Sequence, residues 1–295
     1  MNTSIHQLLN TKRQTDFLVA VDSDGCVFDT MEIKHKECFI PQIINIWGLQ
    51  AVSKYARETS EFVNLYSSSR GINRFPGLVK TIELLSERKE VKKRLFNPPD
   101  ISRLKKWVES ETKLGNPSLE KEIAKTKDPI LEKALLWSQE VNKAVEKIVR
   151  GVPPFPYVEK SLQKANNYAD MIVVSSTPIK AIKREWEEHG IAKYVKMITG
   201  QETGTKKDCI ANAKKEKYAD HHIIMIGDAL GDMNAAKANN ALFYPILPGN
   251  EDFSWQRFFE ESFDKFINGT YAGDYESKII CEFEKLLPSV PPWKI

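Results

Sequence analysis

The sequence predicts an α/β protein: a doubly wound, Rossmann-like parallel sheet with an α-helical domain inserted after its first strand. Three observations carry this. Five short apolar runs have the length and composition of buried strands. From Tyr157 onward those runs alternate with helical patterns, the signature of a parallel sheet covered by helices. Between the first and second runs the strand pattern vanishes for over a hundred residues, too long for a simple crossover.

The first strand is Phe17–Val21, which ends abruptly in Asp22-Ser23-Asp24-Gly25. Met31 to Val149 contains no strand pattern. It holds charged amphipathic segments instead, among them Ile101–Leu114 and Pro129–Val149. Asn97-Pro98-Pro99-Asp100 and Gly115-Asn116-Pro117-Ser118 read as breaks between helices, with Asp100 and Ser118 as N-caps. Gly151-Val152-Pro153-Pro154-Phe155-Pro156 reads as a stiff return to the sheet. The remaining strands are Met171–Ser175, Val195–Thr199, Ile223–Gly227 and Ala241–Ile246. Helices are expected over Tyr157–Tyr168, Ile179–His189, Lys206–Tyr218 and Met233–Asn239. The expected division is therefore 1–30 with 151–295 as the sheet domain and 31–150 as the insert. Within the sheet domain, a C-terminal extension starts at about residue 248. In that extension Trp255, Phe259, Phe263 and Phe266 have helical spacing, which predicts a helix packed on the core; a lid or a dimer contact is the alternative.

Composition sets the context. The chain has 295 residues, 41% hydrophobic and 28% charged, enough for a substantial core. Its 43 basic and 40 acidic residues nearly cancel, which argues against nucleic-acid or membrane partners. Cys26, Cys38, Cys209 and Cys281 are scattered without the spacing of a zinc or redox motif and read as reduced thiols. Met1 to Thr15 is polar and lacks the apolar core of a signal peptide, and no run reaches membrane-spanning length. A cytoplasmic location is the expectation. The oligomeric state is left open.

The chemistry-bearing residues gather at two strand ends. Side chains two apart on a strand share a face, so Asp22 and Asp24 point together if the strand geometry persists through Ser23. Crowded carboxylates repel unless a cation or a proton sits between them. Ile223-Ile224-Met225-Ile226-Gly227-Asp228-Ala229-Leu230-Gly231-Asp232 repeats the design with two more carboxylates. Hard oxygen ligands of this kind suit Mg²⁺. In parallel sheets, ligands bind beyond the carboxyl ends of the strands, where both clusters lie.

Four motifs in order resemble the haloacid dehalogenase-like hydrolase superfamily, in its phosphatase branch. They are Asp22-Ser23-Asp24-Gly25 extended by Asp29-Thr30; Ile172-Val173-Val174-Ser175-Ser176-Thr177; Gly204-Thr205-Lys206-Lys207-Asp208; and Gly227-Asp228 with Asp232. The family's helical cap falls between its first and second motifs, where the insert lies here. The resemblance implies that Asp22 attacks phosphorus to form an aspartyl-phosphate. It implies that Asp24 is the acid and base for leaving group and water. Mg²⁺ would be held by Asp22, the Asp24 backbone carbonyl and Asp228, with Asp232 as a ligand or as support for ligating water. Ser175 would bind a phosphate oxygen. Ser176 and Thr177 compete for that role, Ser176 alternatively presenting its backbone N–H. Lys206 would stabilise charge on the phosphoryl group. Only one of Lys206 and Lys207 can face inward, and Lys206 fits because Ile210 then follows one turn later on the same face.

Asp24 argues against the dehalogenase and phosphonate-cleaving branches, which lack a carboxylate there. Cys26 stands where relatives carry Thr or Val and reads as a small core residue. Specificity is expected from the cap, where Arg70 and Arg74 could grip an anionic group of the substrate; solvated helix ends are the alternative. The expected function is a Mg²⁺-dependent phosphatase of a small phosphorylated metabolite. The alternatives are a sugar phosphomutase and a catalytically silent binding protein.

Overall fold

Five strands form one parallel sheet in the order β3-β2-β1-β4-β5. They are β1 (Phe17–Val21), β2 (Ala169–Val174), β3 (Met197–Thr199), β4 (Ile223–Gly227) and β5 (Leu242–Pro245). The computed structural model describes Asn10, residues 12–215 and residues 217–294. The greater part of the polar stretch Met1 to Thr15 lies outside the described residues.

The strands are apolar on both faces because helices cover both. Alternate side chains of β1 go opposite ways, as the two-residue period of a strand requires. Val19 and Val21 join a core with Val158, Leu162 and Ala165 of helix α1 (Val158–Ala165) and Ile182 and Trp186 of α2 (Ile179–Glu188). Leu18 and Ala20 join a second core with Cys209, Ile210 and Ala213 of α3 (Lys206–Lys214) and Met233, Ala235 and Ala236 of α4 (Leu230–Lys237). This is the doubly wound arrangement. Its central strand, β1, pairs with β2 on one side and β4 on the other, so the chain reverses direction across the sheet at β1.

The elements differ from expectation mostly at their ends. β2 starts at Ala169, two residues early, because the carboxylate of Asp170 is buried with partners. It accepts from the backbone N–H of Gln14 (2.8 Å) and the Tyr218 hydroxyl (2.6 Å) and pairs with Lys196 at 2.6 Å. α4 begins at Leu230, three residues before the expected start, which places Asp232 in its first turn. The C-terminal extension contains a π-turn, Phe258–Ser262, between α5 (Glu251–Arg257) and α6 (Phe263–Ile267). The extra residue shifts the inward face by one position. Phe258 is therefore buried with Trp255, Phe263 and Phe266, while Phe259 is half-buried.

The chain divides into two compact units, 1–31 with 151–287 and 32–150 with 288–295. The second unit is helical, with no strand among its described residues. Its core includes Trp47, Phe75, Trp107 and Trp137, with the rings of Phe75 and Trp107 packed edge to face at 5.0 Å. Ser118 is not an N-cap: the helix Asn116–Thr126 starts two residues earlier, because Pro117 is tolerated in a first turn, and the Ser118 hydroxyl accepts from the Gly115 N–H (3.2 Å). Residues 288–294 group with this unit and not with the sheet. The N–H of Ser68 donates to the Pro288 carbonyl (3.1 Å), Trp293 packs against Phe62 at 5.4 Å, and Lys294 pairs with Glu87.

Candidate active site

The pairing of β1 with β4 sets Val21 opposite Ile226, and the Asp22 N–H donates to the Ile226 carbonyl at 2.9 Å. Asp22 and Asp228 thus leave neighbouring strands side by side. Asp232 reaches them from the first turn of α4. It comes so close to the strand end that a Cβ on Gly227 would lie 2.4 Å from the Asp232 side chain. Asp232 also accepts from the Ala229 N–H at 3.1 Å. The result is a buried cluster in which one oxygen from each of Asp22, Asp228 and Asp232 lies within 4.8 Å of the others.

Lys206 supplies the cation. It is the first residue of α3, and Thr205 is the N-cap: its hydroxyl accepts from the Asp208 N–H (3.1 Å) while Asp208 accepts back from the Thr205 N–H (3.3 Å). The cap fixes the direction of Lys206, whose Nζ lies 2.7 Å from Asp22 Oδ2 and 2.5 Å from Asp232 Oδ1. Lys207, next in sequence, is exposed. Burial pulls the Lys206 pKa down, but Asp22 and Asp232 outweigh it and hold the ammonium above its ordinary value. For Asp22, burial raises the pKa most, Asp232 and Asp228 raise it further, and Lys206 opposes them.

Lys206 is thus shared by two of the three buried carboxylates, Asp22 and Asp232. The Asp22 Oδ1 atom is buried and accepts no hydrogen bond. An all-carboxylate oxygen set with an orphaned lone pair fits a hard divalent cation such as Mg²⁺.

Asp24 stands apart from this cluster. Gly25 takes a left-handed conformation (φ 72°) that turns the chain immediately after it, and the Gly25 N–H donates to the Phe28 carbonyl at 2.8 Å. The Asp24 carboxylate accepts hydrogen bonds from the hydroxyls of Thr30 and, at 2.6 Å, Thr177. Its side chain is half-buried, whereas Asp22 is buried. Ser175 follows β2 and is buried, with its hydroxyl accepting from the Thr177 N–H at 3.2 Å; Ser176 is exposed. Of the three hydroxyls in this motif, Thr177 is therefore the one engaged with Asp24. Thr30 and Thr177 both lie within the quoted motifs, Thr177 as a candidate for phosphate binding, but their hold on Asp24 carries no sequence signal, because each reaches it through the fold of a loop.

Arg70 and Arg74 belong to the helical unit. Arg70 is buried and donates from Nη1 to the Leu65 carbonyl (2.9 Å). Arg74 donates from Nη1 to the Ser138 carbonyl (3.1 Å), the Ser138 hydroxyl (2.9 Å) and Asn142 Oδ1 (2.7 Å), and its guanidinium lies 5.2 Å from the centre of the Phe39 ring. Burial lowers its pKa to about 10.

A family model for haloacid dehalogenase-like hydrolases matches residues 89–244. The chain belongs to that family. The match takes in β2 to β4 and β5 but for its last residue, and with them Ser175, Lys206, Asp228 and Asp232; Asp22 and Asp24 come before it, and the sheet joins Asp22 to the set. Among solved structures, the fold is shared with a haloacid dehalogenase-like hydrolase described from Bacteroides fragilis, at 12% identity and a TM-score of 0.50, covering 81% of this chain and 92% of that one. A predicted phosphatase from Clostridium acetobutylicum matches at 16% identity and a TM-score of 0.43, covering 87% and 98%. A magnesium-bound hydrolase of the same family from Bacillus subtilis matches at 12% identity and a TM-score of 0.44, covering 78% and 86%. No curated protein matches the chain. No helix among the described residues is long and apolar enough to cross a membrane.

Proposed function

We propose that this hydrolase is a Mg²⁺-dependent phosphatase of a small phosphorylated metabolite, working through an aspartyl-phosphate on Asp22. The observation that carries the reading is the charge arrangement at the ends of β1 and β4. Three buried carboxylates meet there, Asp22 and Asp232 share Lys206, and Asp22 keeps an oxygen with no hydrogen bond.

The Asp22 carboxylate attacks phosphorus, forming an O–P bond as the bond to the leaving oxygen breaks. Asp24 gives its proton to that leaving oxygen. It then accepts a proton from water, whose oxygen attacks the aspartyl-phosphate at phosphorus, releasing phosphate and restoring Asp22. The hydroxyls of Thr30 and Thr177 hold the Asp24 carboxyl in one orientation for both transfers. Lys206 keeps its charge throughout and offsets negative charge on the phosphoryl group. Ser175 and Ser176 offer donors to the phosphate oxygens. Asp22, Asp228 and the Asp24 backbone carbonyl would hold Mg²⁺, with Asp232 in support, and the ion would supply charge that reduces repulsion between carboxylate and phosphate. Arg74 is the residue of the helical unit proposed to recognise a second anionic group on the substrate, since neutral acceptors hold it without neutralising it.

The test is phosphate release from a panel of phosphorylated metabolites and an aryl phosphate, with Mg²⁺ and with chelator. Turnover that needs Mg²⁺ and disappears in Asp22→Asn supports the proposal. A folded protein inactive on the whole panel overturns it in favour of a mutase or a silent binder.

A further inference from the structure

The loop Asp22–Phe28 carries both proposed reacting carboxylates and is pinned by two indole N–H groups from separate helices. Trp186, on α2, donates from Nε1 to the Ser23 hydroxyl at 3.0 Å. Ser23 is fully buried and lies between the two aspartates. Trp255, on α5, donates from Nε1 to the Cys26 carbonyl at 2.7 Å. Both tryptophans are fully buried. Trp186 also packs edge to face on Phe28, the last residue of the loop, at 6.1 Å.

The second pin continues into β4. The Cys26 thiol donates to the Ile226 carbonyl at 3.6 Å, the same oxygen that accepts the Asp22 N–H at 2.9 Å. Ile226 lies two residues before Asp228. The contact from Trp255 thus bears on the join that spaces Asp22 from Asp228. Trp255 is itself held from below. The Leu247 N–H donates to the Ser254 hydroxyl (3.0 Å) and the Tyr244 hydroxyl to the Ser254 carbonyl (2.5 Å), tying α5 to the end of β5. Trp255 lies beyond the segment that matches the family model, in the C-terminal extension.

We propose that Trp255 is a positioning residue for the carboxylate loop, acting together with Trp186, and that the C-terminal extension is therefore part of the active-site framework. The proposal rests on the function proposed above. A buried carbonyl that loses its donor must find another partner or move, so replacing the indole by a phenyl ring loosens the loop without removing the apolar packing. Groups that orient ligands from behind typically cost 10- to 100-fold in metal affinity or activity when removed, and the same range applies here.

The experiment compares Trp255→Phe, Trp186→Phe and Phe283→Leu with the wild type. Phe283 is a buried residue of the opposite sheet face and controls for lost packing. Folding is checked by circular dichroism. Hydrogen exchange is read at the amides of residues 22–28, Mg²⁺ binding by calorimetry with the metal alone, and kcat and KM on an aryl phosphate. The expected result for both tryptophan variants is about tenfold faster exchange in the loop and about tenfold weaker Mg²⁺ binding. Their kcat falls with KM nearly unchanged, and Phe283→Leu alters none of these. Unchanged loop exchange in both tryptophan variants, or equal loosening in Phe283→Leu, overturns the proposal. Loosened exchange in a protein whose wild type neither binds Mg²⁺ nor releases phosphate leaves the pins standing and overturns the proposed function instead.

Discussion

Lys206 in the sheet unit and Arg74 in the helical unit are both cations withdrawn from water, and their surroundings are opposite. Lys206 lies between two carboxylates at 2.7 and 2.5 Å, which raise its pKa. Arg74 donates to a carbonyl, a hydroxyl and an amide, and burial lowers its pKa. The first is compensated inside the protein by the two carboxylates it touches, with a third, Asp228, beside them. The second brings a positive charge that no carboxylate of its hydrogen-bonded partners cancels. The first region gathers carboxylate oxygens around its cation, whereas the second holds its cation on neutral acceptors.

The comparison breaks most completely at Asp22. Asp22→Asn keeps the shape of the side chain and removes the nucleophile, so turnover of an aryl phosphate is expected to fall on the order of a thousandfold or more, measured as phosphate release. Next comes Lys206→Met, which leaves buried carboxylates without their cation. Loss of one partner from a buried ion pair costs about 3–5 kcal/mol, to be read from chemical denaturation in chelator. Added Mg²⁺ is expected to restore part of that stability, whereas no restoration would mean that the cluster does not take the metal. The other half of the comparison is sharpened by Arg74→Lys. Loss of the planar fork is expected to raise KM about tenfold, some 1.4 kcal/mol, for a substrate with a second anionic group. Its kcat, and its KM for a plain aryl phosphate, are expected to stay unchanged.

The remaining expectation concerns Asp170, a compensated charge with no proposed part in the chemistry. Burial raises its pKa, but Lys196, the Tyr218 hydroxyl and the Gln14 N–H overcome this and hold it below the usual carboxylate range. With the folded pKa below the unfolded one, its stabilisation is present above about pH 4, the unfolded value, and is lost as pH falls through the folded one. Thermal melts of Asp170→Asn are therefore expected to converge on the wild type in acid and to fall below it at neutral pH by about 1–3 kcal/mol.

The sheet was legible because a strand covered on both faces must be apolar throughout. β1 and β4 match their expected limits residue for residue. β2 was harder to delimit, since the buried Asp170 interrupts the apolar run and its partners come from distant segments. The π-turn in the C-terminal extension has no sequence signature, so Phe259 took the place of Phe258 in the expected face. At the candidate site, the nearness of Asp22, Asp228 and Lys206 follows from strand order and from the α3 cap, both of which leave local marks. The hydroxyls on Asp24 and the indoles on Ser23 and Cys26 join residues more than a hundred and fifty apart in several cases, and no local pattern encodes such meetings.

The return of the last residues to the helical unit alters how that unit can be exchanged between proteins. A chimaera cut at 32 and 150 would carry the helices away from Trp293, whose ring packs on Phe62 and lies 4.3 Å from the Arg88 guanidinium. The graft would arrive with an apolar side chain and an arginine stripped of their cover. A transplantable unit must therefore bring residues 288–294 with it, as a second, non-contiguous piece.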